Sequence, residues 1–303
     1  MRILISGATG FVGRVLCRHL AAQGDEVWAF SRRPAQAKAS LEGVSRVFAW
    51  NAATEEPGAE AFDGVDAVVH LAGESVVGRW TTAKREKIRA SRVDSTQLLV
   101  AALAKLEKPP ATLISASAIG YYGEKGEAEV TEESGPDNDF LGQVAVAWEA
   151  AALRVELRGV RVVCLRLGII LGQGGGALEA MLLPFKLGVG GPLGSGQQWW
   201  SWVALDDVIG LIDFALRTPA AEGPLNVTAP QPERQKDFAK ALGKALHRPA
   251  FMPAPAFALK LALGGFSTEL LSSKKVLPKK AERLGYRFRF SDLADCLEHV
   301  IGS

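Results

Sequence analysis

Ile5-Ser6-Gly7-Ala8-Thr9-Gly10-Phe11-Val12-Gly13 decides the fold. Three glycines, spaced G-x-x-G-x-x-G, follow a short apolar run at residues 2–6. They open a stretch, residues 11–23, in which Val12, Val15, Leu16, His19 and Leu20 fall on one side of a helix. The spacing gives each glycine a task. Gly7 permits the tight turn, Gly10 lets the backbone approach a pyrophosphate, and Gly13 lets helix pack on strand. The helix start then offers N–H groups and a positive dipole end to phosphates. A glycine triplet alone is a weak signal, and its place between a strand and a helix makes it specific. Gly7, Thr9, Gly10, Phe11 and Val12 are therefore read as dinucleotide contacts.

The second strand, residues 26–31, decides which dinucleotide. A carboxylate about 20 residues beyond the glycines would accept from a ribose 2′-hydroxyl. None stands there: the strand ends in Ser31-Arg32-Arg33-Pro34, and Asp25 and Glu26 lie at its far end. Arg32 and Arg33 suit a 2′-phosphate, with Ser31 as a further donor. The expected cofactor is NADP(H).

Working outward, strand signals at 44–50, 66–72, 111–117 and 160–170 alternate with helix signals at 82–105 and 140–158. Such alternation implies a parallel sheet with right-handed crossovers and helices on both faces. The texture changes after Leu171. Glycine-rich runs at 172–176 and 188–196 surround a helix at 177–187, a tryptophan-rich segment at 198–203 follows, and 206–216 reads as a further helix. The fold class is α/β, a Rossmann doubly wound parallel sheet with a small, mostly helical C-terminal substrate lobe. Its parts are a core at 1–170, segments at 171–246 that complete core and lobe, and a helical domain at 247–303.

Composition narrows the function. Of 303 residues, 48% are hydrophobic and 22% charged, with a net charge of +2. That balance gives no strong field for nucleic acid. No window reaches the roughly 18 apolar residues of a membrane span, and the first apolar run breaks at Ser6-Gly7, too short for a signal peptide. A cytoplasmic protein with a small-molecule substrate, and neither nucleic-acid nor membrane partner, is expected. Cys17, Cys164 and Cys296 are far apart and lack metal-binding spacing, so buried free thiols and no metal are expected.

The motif Gly7-Ala8-Thr9-Gly10-Phe11-Val12-Gly13 resembles that of the extended short-chain dehydrogenase/reductases, which include nucleotide-sugar epimerases and dehydratases. His70-Leu71-Ala72-Gly73, Ser115-Ala116-Ser117-Ala118, Leu165-Arg166-Leu167-Gly168 and Trp202-Val203-Ala204-Leu205-Asp206-Asp207 are similar to later motifs of that family. Arg79-Trp80-Thr81, Gly120-Tyr121-Tyr122-Gly123, Pro184-Phe185-Lys186-Leu187-Gly188 and Leu277-Pro278-Lys279-Lys280 resemble an atypical, epimerase-like subgroup that carries a short C-terminal domain of unknown function. The resemblance implies that Leu71, Ala72, Gly73, Ser115 and Leu167 line the cofactor. It also implies a monomer, or a homodimer paired through residues 82–105 and 140–158.

Typical relatives use Ser, Tyr and Lys, the last two one helical turn apart, so that the lysine lowers the tyrosine pKa. Tyr121 and Lys125 match that spacing literally, but Gly120, Gly123 and Gly126 argue against a helix there. Within the helix expected to carry the dyad, Leu141 and Ala145 occupy its two places. Ser117 remains. Tyr122 and Glu74, beyond strand ends that point at the ligand crevice, are the replacement acid/base candidates, Glu74 on condition that burial raises its pKa. Trp200 stands where relatives place a phosphate-holding arginine, and Ala204 where they place a histidine. Tyr121, Lys186, Trp199 and Trp200 are thus read as substrate contacts, for a substrate flatter and less anionic than a nucleotide sugar. Arg79, Lys84 and Arg92 are candidates for an anionic group. The chain reads as an NADP(H)-binding oxidoreductase or epimerase-like protein lacking the Tyr–Lys dyad. The alternative is a catalytically inactive NADPH-sensing protein.

Overall fold

The computed structural model describes residues 1–302. Seven parallel strands, β1 (Arg2–Ser6), β2 (Glu26–Ser31), β3 (Val44–Ala49), β4 (Ala67–His70), β5 (Thr112–Ala118), β6 (Arg161–Leu167) and β7 (Gly223–Val227), form one sheet in the order β7-β6-β5-β4-β1-β2-β3. The pleat sends alternate residues to opposite faces. Ile3, Ile5, Val27, Ala29, Val69 and Ile114 pack on one face with α1 (Phe11–Ala22). Leu4, Trp28, Phe30, Val68 and Leu113 pack on the other. Both faces are covered, which is why these strands read as continuous apolar runs rather than as alternations.

Helix α2 (Pro34–Ser40) follows β2 and is absent from the sequence reading; of its residues only Ala37 is buried, so no apolar stripe marked it. The helix expected at 82–105 is two helices, α3 (Thr82–Ala90) and α4 (Val93–Lys105). The hydroxyls of Ser91, Ser95 and Thr96 donate to the carbonyls of Ile88, Ser91 and Arg92 at 3.1, 2.6 and 2.6 Å. Such back-bonding bends or breaks a helix. Helix α5 (Phe140–Leu153) gives way to a 3₁₀ turn at Arg154–Arg158. The strand expected at 160–170 divides at Gly168, whose N–H donates to Val227 O while Ile169 N–H turns to Ser201 O. A Cβ at Gly168 would stand 2.6 Å from the Ser201 carbonyl. The chain then leaves the sheet and pairs Ile169–Leu171 with Trp202–Ala204.

Helices α6 (Gly176–Lys186), α7 (Leu205–Arg217) and α8 (Gln235–Ala245) follow. The C-terminal region adds α9 (Ala256–Leu263), α10 (Phe266–Leu271), α11 (Lys279–Arg283) and α12 (Leu293–Gly302). A third core joins α6, α8 and α12 around Trp200, Trp202 and Phe238. Several contacts hold this region to the rest of the fold. Asp207 on α7 is buried and accepts from the N–H groups of Arg289 and Phe290 and from the Tyr286 hydroxyl. Lys275–Val276 adds a parallel strand to Glu129–Val130. No described helix is long and apolar enough to cross a membrane. All three cysteines are free and buried, and burial pushes the Cys17 thiol up to about 12.

At the C-terminal end of β4, His70 has no exposed surface; its Nδ1 meets Ser6 Oγ at 2.6 Å and its Nε2 meets Ser95 Oγ at 3.3 Å. Burial lowers its pKa to about 4. The unfolded imidazole takes its proton near pH 6.5 and the folded one does not, so this contribution is fully present above about pH 6.5. It is lost as pH falls from there toward 4, by roughly 3 kcal/mol in all. Urea unfolding between pH 7 and 4 is expected to show this loss, and His70→Asn to flatten that part of the profile; equal slopes in the two proteins would contradict it.

Candidate functional site

The loops beyond β1, β2, β3 and β4 enclose a cleft of about 750 Å³ at the C-terminal edge of the sheet. The turn after β1 supplies Gly7, Thr9 and Gly10, the end of β2 supplies Ser31, Arg32 and Arg33, and the end of β4 supplies Leu71, Ala72, Gly73 and Glu74. Gly7 has φ +70°, and a Cβ there would lie 2.8 Å from the Leu71 carbonyl; a Cβ at Gly13 would lie 2.2 Å from Gly7 O. Turn, strand end and helix therefore approach one another as only glycine permits. Gly10 precedes α1 with extended backbone and no side chain capping the helix, so the first N–H groups are open to a ligand. Arg33 N–H donates to Ser31 Oγ at 3.0 Å, and both arginine side chains are exposed and without an ion-pair partner among the described residues. An adenosine 2′-phosphate and a pyrophosphate fit this donor set. The sequence reading missed Trp50 and Asn51 beyond β3 and Gln36 and Ser40 on α2, which also line the cleft. For the first two a signal existed: every parallel strand ends at the ligand edge.

A second cavity, of about 770 Å³, lies between the sheet edge, α5, α6 and the C-terminal region. Its wall is mainly apolar and includes Phe11, Leu141, Ala145, Trp148, Leu167 and Trp200. Leu141 and Ala145 thus face the space in which relatives hold an acid/base, and neither transfers a proton. Phe11 belongs to this wall, packed against glycines 172, 175 and 176, where a Cβ would approach its ring to 3.0, 2.7 and 2.8 Å. That packing explains the glycine-rich run. Val12 packs instead into the core below the cleft.

Polar side chains interrupt the apolar wall, among them Arg92, Trp148 and the pair Lys274 and Glu269. Arg92, between α3 and α4, donates through Nη1 to the Glu74 carbonyl at 2.9 Å, and its guanidinium lies 5.3 Å from the centre of the Trp148 ring. Burial lowers its pKa to about 10. Trp148 Nε1 is buried without a hydrogen-bond partner in the protein, a deficit of about 1–3 kcal/mol. Lys274 pairs with Glu269 at 3.0 Å. Lys274 and Glu269 carried no sequence signal, because a charged pair in a helical segment reads as a solvated face.

Several expected site residues lie elsewhere. Tyr122 has no exposed surface and lines neither space; its hydroxyl donates to Asn226 Oδ1 at 2.7 Å and accepts from Arg166 Nη1 at 2.8 Å. Burial pushes its pKa up to about 12. Ser117 Oγ is spent on Glu149 Oε1 at 2.7 Å, and Ser115 is buried in β5 with its hydroxyl on Ala116 O. Glu74 does line the cleft, but Lys84 Nζ sits 2.8 Å from its carboxylate and the pKa is lowered, not raised. Lys186 points to solvent. Tyr121 lies under the Arg166 guanidinium, 3.5 Å from its ring centre, and outside the cavity wall. As the glycines required, no helix spans Tyr121 and Lys125. Trp199 and Trp200 are cavity residues, whereas Trp202 is core.

These buried groups form one network. Glu149 receives Arg166 through Nε and Nη2, each at 2.8 Å, with side chains 9% and 3% exposed. The Ser–Tyr part of the expected apparatus has thereby become structural.

Residues 3–228 match the NAD dependent epimerase/dehydratase family, and residues 254–300 match a domain of unknown function, DUF1731. The chain belongs to the NAD dependent epimerase/dehydratase family. Within it, the chain is 37% identical to the epimerase family protein YfhF of Bacillus subtilis, over 99% of this chain and 98% of that one. It is 39% identical to the epimerase family protein SDR39U1 of Bos taurus, over 99% and 100%. Among solved structures it is similar to human SDR39U1 (isoform 2) with NADPH, at TM-score 0.89 and 36% identity, covering 100% and 99% of the two chains. A complex of MoeE5 with UDP-glucose and NAD shares the fold at TM-score 0.80 and 20% identity.

The network predicts a stability phenotype. Glu149→Gln strands a buried guanidinium and is expected to cost about 3–5 kcal/mol in urea unfolding. Tyr122→Phe is expected to cost about 1–2 kcal/mol, with NADPH affinity unchanged by fluorescence titration. A Tyr122→Phe protein of full stability that no longer binds NADPH would contradict this assignment.

Proposed function

We propose that the protein is a cytoplasmic, NADP(H)-dependent oxidoreductase or epimerase-like enzyme whose substrate is largely apolar. One observation carries the reading. A cleft suited to a phosphorylated dinucleotide lies beside a second, mainly apolar cavity of similar volume. A protein that only held the cofactor has no use for the second space. The relative SDR39U1 was crystallised with NADPH, and Arg32 and Arg33 here supply unpaired cations where a 2′-phosphate is read.

When bound, the nicotinamide supplies a hydride donor or acceptor. The chain's own residues do the rest. The glycine turn and the start of α1 take the phosphates. The apolar wall from Phe11 to Trp200 excludes water from the substrate. Arg92 places a fixed positive charge where the cavity adjoins Gly73. Leu141 and Ala145 favour a second reading, an NADPH-binding sensor without turnover.

Incubation with NADPH and a pool of cell metabolites, following cofactor oxidation and product masses together, separates the two. A product formed only by the active protein supports the enzyme. Tight NADPH binding with no metabolite changed supports the sensor. The cofactor assignment has its own test: in the Arg32→Ala/Arg33→Ala protein, NADPH affinity is expected to fall about 10- to 100-fold while NADH affinity holds, in line with charge-assisted contacts to phosphate. An equal loss for both cofactors would contradict it.

A further inference from the structure

We propose that Lys274 of the C-terminal domain is the hydrogen-bond donor that anchors the ligand of the apolar cavity, and that this ligand carries a neutral carbonyl or hydroxyl oxygen on an apolar body. The inference rests on the cavity being the substrate site.

Lys274 has a side chain only 4% exposed. Its place is fixed through the backbone: its N–H donates to Trp199 O at 3.0 Å, and its carbonyl accepts from Ser201 Oγ at 2.8 Å. Nζ meets Glu269 Oε1 at 3.0 Å and also Ser272 Oγ. Lys274, Glu269 and Ser272 all line the cavity. An ammonium has three N–H groups, and the protein offers this one two acceptors. A buried donor without an acceptor is costly, and the cost is removed by an oxygen brought in by a ligand. Most other polar groups of the wall are already engaged: Trp200 Nε1 donates to Leu270 O, Ser201 Oγ to Lys274 O, and Gln235 Oε1 accepts from Leu193 N–H. Trp148 Nε1 is a second donor without a partner in the same wall, and it is untouched by a substitution at Lys274.

Charge decides the kind of oxygen. Glu269 neutralises Lys274, so the pair attracts no further anion strongly. A phosphate or diphosphate at this end would stand beside the Glu269 carboxylate without a free cation. A carbonyl or hydroxyl needs only the remaining N–H. The same three residues give a task to the C-terminal domain: it closes the apolar cavity and places one polar group in its wall.

The test uses two matched fluorescent probes, pyrenecarboxaldehyde and methylpyrene, which differ by a carbonyl oxygen in place of two hydrogens. Each is titrated into the full chain with and without NADPH. The wild-type protein is expected to bind the aldehyde about tenfold more tightly, the selectivity of one buried hydrogen bond. Lys274→Met is expected to bring the ratio to about one with methylpyrene affinity unchanged, and Lys275→Met, at the neighbouring residue paired with Glu129, to leave it at about ten. Should Lys274→Met fail to fold because Glu269 is stranded, Lys274→Met/Glu269→Gln removes both charges and gives the same readout. A wild-type ratio near one, a ratio unchanged by loss of Lys274, or failure of both probes to bind would overturn the proposal. Failure of the cofactor reading shows separately, as absence of NADPH binding.

Discussion

Arg166 is almost wholly buried, and much of the chain is arranged around that fact. Its five N–H donors must be met inside the protein, because a buried, unpaired guanidinium is not tolerated. Glu149 takes two of them, and the Tyr122 hydroxyl takes a third. Tyr122 then reaches Asn226 on β7, which donates to Leu277 O in the C-terminal domain. One cation thereby ties β6, α5, β7 and the DUF1731 region together. Ser117, which pairs in register with Arg166, is drawn into the same network. The hydroxyls of Ser117 and Tyr122 are thereby consumed in holding the structure.

The consequence is a division of labour. The edge of the sheet keeps the dinucleotide chemistry, because a parallel sheet with a glycine turn produces an anion-binding edge whatever the substrate. The floor below it is fixed by the Arg166 network. Polarity near the second cavity comes from other elements: Arg92 at the break between α3 and α4, and Lys274 with Glu269 in the C-terminal domain. The break that positions Arg92 has a visible cause in Ser91, Ser95 and Thr96. Function and local structure meet at that kink.

The sheet, the glycine turn and the arginine pair were legible in the sequence because they depend on local geometry and on short spacings. The absence of the Tyr–Lys dyad was legible too, since three tyrosines leave few options to check. Misplaced residues failed for a common reason. Ser117 and Tyr122 lie at and just beyond the end of β5, which marks a neighbourhood, but the direction of each hydroxyl depends on Glu149 and Arg166, brought from 32 and 44 residues away. Glu74 depended on Lys84 across a loop. Lys274 was invisible because burial of a lysine is decided by which helices close over it, and no periodicity in residues 257–274 states that. Along that stretch Phe257 and Leu261 are exposed while Leu259 and Leu263 line the cavity.

Cofactor cleft and apolar cavity lie side by side, and the proposed function needs them to act as one site. A crystal structure of the protein with NADPH tests that requirement most directly. The account predicts the 2′-phosphate between Arg32 and Arg33, the pyrophosphate over Gly10, and the nicotinamide beside Leu167 with one ring face open to the cavity walled by Leu141 and Ala145. A nicotinamide turned away from that cavity, or a cavity filled by side chains in the complex, would contradict it.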